Sequence, residues 1–125
     1  MSAGVKLDHA VVLVRSLAES LPWYEVLLGG CGFEKMRDHV FAGPGGFAID
    51  IKQAKATAPD YDRYAPGLNH LGLAADRETH EAVRSAMRAA RFDVPEPQHF
   101  DGEVATFFKD PDGLRIEIIT YDAEA

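Results

Sequence analysis

The sequence predicts an α+β fold made of two tandem copies of one unit: a strand, a helix and three further strands. Three observations carry this reading. "LDHAVVLV" at 7–14 recurs as "LNHLGLAA" at 68–75, offset by 61 positions, and "GPGGFAIDIKQ" at 43–53 recurs as "DPDGLRIEIIT" at 110–120, offset by 67. Between these matched segments, each half has the same order of apolar patterns. The 125 residues are then one domain, 1–125, with module one at about 5–54 and module two at about 68–121.

Residues 5–14 read as the first strand. It is apolar on both faces, which suits a central position in a sheet. In "SLAES", Ser16 and Glu19 have capping-box spacing, but Pro22 belongs in a helix's first turn, which favours Ser20 as the cap. Apolar residues at 23, 26 and 27 supply the inward stripe, and "GGCG" at 29–32 stops the helix. Strands are expected near 33–37, 39–42 and 47–53, the last two joined by the "GPGG" turn at 43–46. The polar, proline-bearing stretch 54–67 connects the halves.

In the second half a strand at 68–75 is followed by Asp76, which caps a helix over about 77–90. His80, Val83, Met87 and Ala90 form its stripe at helical spacing. Further strands fit 92–94 or 98–100, then 103–109, and finally 114–121 after the "DPDG" turn. Two such units, each burying one face of its sheet under its own helix, are expected to pair into one larger sheet.

Composition excludes several classes of partner. The net charge is −7 and the pI about 5.1, with acids and bases interspersed. Nucleic-acid and polybasic membrane surfaces need a basic patch, and none is present. No run is long and apolar enough to span a bilayer, and "MSAGVKLDHA" lacks a signal-peptide pattern. Cys31 is the lone cysteine, which excludes an internal disulfide and fits a reducing compartment. The expectation is a soluble, cytoplasmic protein with no nucleic-acid or membrane partner.

Strand alternation then places the polar residues. In 114–121, Leu114, Ile116 and Ile118 take the helix side, leaving Arg115, Glu117, Ile119 and Tyr121 opposite. In 47–53, Phe47, Ile49 and Ile51 face the helix, leaving Ala48, Asp50 and Lys52. His9 shares a face with Val11 and Leu13, and His70 with Gly72 and Ala74. Each copy thus offers one histidine and one carboxylate to the face its helix leaves open. Imidazoles and carboxylates that converge there suit a divalent cation, since a buried carboxylate must be paired or coordinated. Hydrogen-bonded core histidines are the bland alternative, and duplication copies structural residues as readily as ligands. The residues alone leave both readings open.

From about 5 to 121 the chain resembles the vicinal oxygen chelate superfamily. That group holds glyoxalase I, fosfomycin-resistance enzymes, methylmalonyl-CoA epimerase, extradiol dioxygenases and bleomycin-resistance binding proteins. The resemblance rests on "LDHAVVLV", "WYEVLLG", "LNHLGLAA" and "FFKDPDGLRIEIIT". It implies paired βαβββ modules forming a cupped, mostly antiparallel sheet with helices on the outer face, around one divalent metal ion (Zn, Ni, Mn, Fe or Co). It also implies His9, His70 and Glu117 as metal ligands, with Asp50 at the fourth position, where glyoxalase I has Glu and the epimerase Gln. Asp is shorter by about one C–C bond, ~1.5 Å. So either its strand moves inward, or Asp50 acts through water and a three-ligand facial set remains. Relatives often end the second helix with Gly where this chain has Arg91, so its exit is expected to differ.

The resemblance implies a metal-dependent enzyme acting on a small-molecule substrate. Such an enzyme chelates two adjacent oxygens for isomerisation, epimerisation or addition/lyase chemistry, or for group transfer, while Glu117 or Asp50 moves a proton. The alternative is a non-catalytic small-molecule binder of the bleomycin-resistance type. Extradiol dioxygenases usually carry four modules, against two here. In this group, modules of two chains commonly complete each site, which implies a homodimer. Among the other histidines, His80 suits packing, while His39 and His99 are open to the cavity, with His99 the better acid–base candidate. Arg37, Arg63 and Arg115 are possible substrate contacts, though net acidity gives no support for a strongly anionic substrate.

Overall fold

The computed structural model describes residues 2–121. The first half comprises β1 (His9–Val14), α1 (Leu17–Gly30), β2 (Glu34–Arg37), β3 (Val40–Ala42) and β4 (Ala48–Gln53). The second repeats it with β5 (His70–Ala74), α2 (Arg77–Ala89), β6 (Gln98–Phe100), β7 (Glu103–Lys109) and β8 (Arg115–Tyr121). Each half is a four-stranded sheet, ordered β1-β4-β3-β2 and β5-β8-β7-β6. The strands β1 and β4 run parallel, as do β5 and β8, and the other pairs are antiparallel.

Two expectations about the sheets are corrected. Within the chain the halves keep separate sheets, and β1 is an edge strand rather than a central one. Its apolar run has another cause. Val12 and Val14 point into the core, while Val11 and Leu13 lie on the uncovered face, 47% and 63% exposed. The strand also begins at His9, leaving Val5 and Leu7 exposed ahead of it.

Helix α1 starts one turn earlier than Pro22 suggested. Ser16 is the cap, its hydroxyl accepting the Glu19 N–H at 3.3 Å, and Ser20 is instead a buried helical residue. Pro22 therefore sits inside the helix, which costs about 3 kcal/mol. Trp23, Tyr24, Leu27 and Leu28 are all buried on that helix, and at ~1.5–3 kcal/mol for each large apolar side chain their burial outweighs the proline. Asp76 caps α2 as expected, and the Thr79 N–H at 2.8 Å holds its carboxyl below the usual carboxylate range.

Both helices exit identically. Phe33 N–H bonds the Leu28 carbonyl and Gly32 N–H that of Gly29; Phe92 bonds Met87 and Arg91 bonds Arg88 in the same way. This double closure requires a left-handed residue just past the cap. Gly32 takes it at φ 88°, and Arg91 takes it at φ 67°. The exit expected to differ at Arg91 is thus retained, with a residue poorly suited to it. A side chain in this region costs roughly 1–2 kcal/mol, so Arg91→Gly should stabilise the fold by about 1 kcal/mol. A higher denaturant midpoint with an unchanged m-value is the expected readout.

One apolar core joins the halves, with Val14, Tyr24, Leu27 and Ile49 from the first and Val83, Met87, Phe108 and Ile116 from the second. Helices α1 and α2 pack against each other across it. On α2 the buried stripe is His80, Val83, Arg84 and Met87, while Ala90 is exposed. His80 bonds Thr120 and Thr106 through its two ring nitrogens, and burial pushes its pKa down. No helix among the described residues is long and apolar enough to cross a membrane.

Candidate metal centre

Helices cover one face of each sheet and leave the other open, and the four residues singled out from the sequence lie on these open faces. Glu117 pairs across the ladder with Gly72 on β5 and with Phe107 on β7. A Cβ at Gly72 would come within 3.2 Å of Glu117 Oε1, so glycine there leaves room for the carboxylate to lie across β5. Glu117 thereby reaches His70, with Oε1 3.2 Å from Nε2, and its side chain is only 12% exposed. The His70 and Phe107 rings meet in a T-shaped contact at a centroid distance of 5.4 Å.

The protonation of His70 follows from its neighbour. Asn69 Nδ2 donates to the Arg63 carbonyl at 3.0 Å, and Asn69 Oδ1 accepts from the Arg115 guanidinium at 3.0 Å. The amide orientation is therefore fixed, and Oδ1 also faces His70 Nδ1 at 2.7 Å. An amide oxygen is only an acceptor, so Nδ1 carries the hydrogen. In neutral His70 the bare Nε2 then lies beside a carboxylate oxygen, out of line for an N–H···O bond between them. Two electron-rich atoms so close, and not joined by a hydrogen bond, repel unless a cation draws on both. The separation also fits two adjacent ligands of one ion, each ~2.0–2.2 Å away. The donor set thus fits a divalent metal.

The first half repeats half of this arrangement. Asp8 Oδ2 lies 2.7 Å from His9 Nδ1, so the residue before the histidine again fixes the ring and leaves Nε2 free. Metal-binding histidines commonly have such a partner on the other nitrogen. His9 differs in standing open, its side chain 57% exposed. Asp50 does not meet it. Its Oδ1 takes His39 Nδ1 at 2.6 Å and its Oδ2 lies 3.6 Å from Lys52 Nζ. Among the described residues, no three His, Cys, Asp or Glu side chains of one chain converge closely enough to hold a metal ion. The structure therefore brings together His70 and Glu117, and leaves His9 and Asp50 apart from them and from each other.

The match to a known family is broad. The family model for the Glyoxalase/Bleomycin resistance protein/Dioxygenase superfamily matches residues 6–118. The chain belongs to this superfamily. Solved structures of the superfamily share its fold. A glyoxylase/bleomycin resistance protein/dioxygenase domain from Frankia sp. EAN1pec superposes with TM-score 0.76 at 20% identity, covering 97% of this chain and 93% of that one. A glyoxalase/dioxygenase from Nostoc punctiforme gives 0.72 at 19% identity, covering 93% and 90%. A glyoxalase/bleomycin resistance protein from Albidiferax ferrireducens T118 gives 0.69 at 23%, covering 91% and 97%. No curated protein matches the chain.

Several residues of this superfamily member acquire roles that the sequence did not assign. Asp8 and Asn69 orient the histidines, and the doubled pattern of leucine, polar residue and histidine was their signal. Gly72 makes room for Glu117. His39 engages Asp50, whereas His99 lines a cavity with His80, Arg77 and Thr120. Thr120 and His80 belong to the covered side of the sheet, so His99 faces away from Glu117 and the preference for it as an acid–base group is corrected.

Proposed function

We propose that the protein is a divalent-metal-dependent enzyme that chelates adjacent oxygens of a small substrate for isomerisation, epimerisation or addition/lyase chemistry. The observation that carries this is His70 Nε2, left bare by the Asn69 contact at Nδ1 and lying 3.2 Å from Glu117 Oε1. His9, His70 and Glu117 are the proposed ligands, and the ion is Zn, Ni, Mn, Fe or Co. When bound, it would polarise a substrate oxygen and stabilise the negative charge that develops there.

The chain's own residues do the remainder. Asn69 and Asp8 hold the imidazoles in the tautomer that presents Nε2. Phe107 walls the enclosed side of Glu117. Asp50 receives the His39 Nδ1 hydrogen and leaves Nε2 of that ring free to take or give a proton, an arrangement in which a carboxylate orients a histidine base. Asp50 therefore acts through His39 in this reading rather than as a direct ligand. The lone Cys31 has no second cysteine for an internal disulfide, which suits work in a reducing compartment such as the cytoplasm.

The ligands stand on two open sheet faces, and the exposed Val11 and Leu13 flank His9 on one of them. A homodimer completes the site by setting the first-half face of one chain against the second-half face of its partner. A complementation experiment tests this. Neither His9→Ala nor Glu117→Ala should hold metal at the full site by itself. Refolded together, they should regain up to one metal per dimer, because one of the two sites in a mixed dimer is intact. No recovery in a verified heterodimer would place all ligands in one chain. If the wild type takes up none of the five metals, the enzyme reading falls and the bleomycin-resistance type of binding protein replaces it.

A further inference from the structure

We infer that Arg115 anchors an oxyanion of the bound molecule, so that the substrate carries a carboxylate or similar group several bonds from its chelating oxygens. The inference rests on the reading of His70 and Glu117 as the chelating site. Arg115 stands two residues before Glu117 on the same face of β8. Its guanidinium stacks 4.7 Å over the Phe107 ring and donates one hydrogen bond, from Nη2 to Asn69 Oδ1. Its Nε is buried without any partner. Among the described residues no carboxylate lies within salt-bridge distance of it, and the ion pairs present involve other groups. A guanidinium held flat by an aromatic ring and an amide, whose Nη groups rather than the buried Nε remain to meet a ligand, is preorganised for contact with an oxyanion.

The adjoining cavity has matching charge. About 520 Å³ in volume, it is lined by Arg115, Lys109 and Arg63 together with Asp60 and Asp62. Both acids are engaged elsewhere, Asp60 with the Arg15 guanidinium and Asp62 with the Tyr64 N–H. Among the described residues Lys109 and Arg115 form no ion pair, and with Arg63 they outnumber the two acids of the lining, so this cavity is locally cationic on a chain of net charge −7. Two residues along a strand span about 6.6 Å, which sets the anion roughly four C–C bonds from the chelating oxygens at ~1.5 Å each. A simple 2-oxo acid, whose carboxylate itself chelates, is too short to use both sites; one with a distal carboxylate fits.

Calorimetric titration tests this with two probes on Mn²⁺-loaded protein. 2-Oxoglutarate and 2-oxopentanoate have the same chelating end, and only the first has a distal carboxylate. The wild type should bind 2-oxoglutarate about tenfold more tightly, the effect of one charge-assisted contact. Arg115→Gln should abolish this preference and lower Mn²⁺ affinity by less than the tenfold expected for Asn69→Ala, because the Arg63 carbonyl still holds the amide, and Arg115→Lys should keep part of the preference. Glutarate titrated into metal-free protein should bind weakly, and Arg115→Gln should lose that binding. A preference that survives Arg115→Gln in folded protein overturns the proposal. So does a wild type without preference, or one that binds glutarate in neither form. A protein that takes up no metal defeats the enzyme reading alone, because glutarate binding by the metal-free form still decides the role of Arg115.

Discussion

His70→Ala should lower divalent-metal affinity by about 100-fold or more, while Asp50→Ala should lower it by less than about tenfold. The difference follows from what each side chain faces. The Nε2 of His70 has one neighbour that can use it, Glu117 Oε1, and a cation between them would be held by both. Removing the imidazole deletes a ligand and leaves the mostly enclosed carboxylate without a counterpart. Asp50 already has the His39 N–H at 2.6 Å and the Lys52 ammonium at 3.6 Å, and its loss should disturb proton transfer more than metal. Asn69→Ala should fall between them, at about tenfold, because it leaves the ligand in place but frees its tautomer and orientation. Competition with a chromophoric chelator measures all three. Equal losses for Asp50→Ala and His70→Ala would return Asp50 to the metal as a direct ligand.

Much of this centre was legible because strand alternation is a rigid rule. Once "IEIIT" and "IDIKQ" are read as strands covered on one side by a helix, Glu117 and Asp50 must point the other way, and they do. The doubled segments also located both histidines on open faces. Alternation says nothing about which open faces meet, which is a matter of how sheets assemble. The apolar first strand was therefore assigned to the middle of a sheet when it lies at an edge. Apolar residues on both faces indicate burial on both faces, and for Val11 and Leu13 nothing in the single chain provides it. The homodimer proposed above would cover them.

Other misses arose where one local rule competed with a larger packing term. Pro22 argued for a later helix start, yet the buried run from Trp23 to Leu28 outweighs an interior proline. Arg91 argued for a different helix exit, yet the carbonyls of Met87 and Arg88 still need their donors, and the arginine accepts a left-handed backbone to supply them. For His39 the sequence offered a place near the cavity but no partner. Its contact with Asp50 depends on the tight β2–β3 turn folding the ring back over β4, which spacing alone does not reveal. Net charge is likewise silent on local charge: on a chain of −7, one cavity gathers Arg63, Lys109 and Arg115 beside Asp60 and Asp62.

Asp110→Ala should destabilise the fold by about 3–4 kcal/mol, the largest stability effect of any single change proposed for this chain. Asp110 is buried at the start of the "DPDG" turn that feeds β8. Its Oδ1 accepts the N–H groups of Asp112 and Leu114, both at 2.9 Å, and its Oδ2 accepts the Tyr24 hydroxyl at 2.5 Å. The carboxylate thus fixes the turn that sets the register of Arg115 and Glu117, and ties it to α1 of the other half. Alanine would strand a buried hydroxyl and a buried amide, each costing ~1–3 kcal/mol. Tyr24→Phe removes one donor and should cost about 1–2 kcal/mol, and a double-mutant cycle should show coupling of similar size. Burial and the nearby Asp110 charge push the Tyr24 pKa up. The folded tyrosine therefore keeps its proton where the unfolded one, ordinarily near ~10, loses it. Its stabilising contribution is intact below that value and declines as pH rises beyond it. Wild type should accordingly lose stability above about pH 10 more steeply than Tyr24→Phe. Parallel alkaline unfolding curves for the two proteins would show that the hydroxyl is not held in this buried bond.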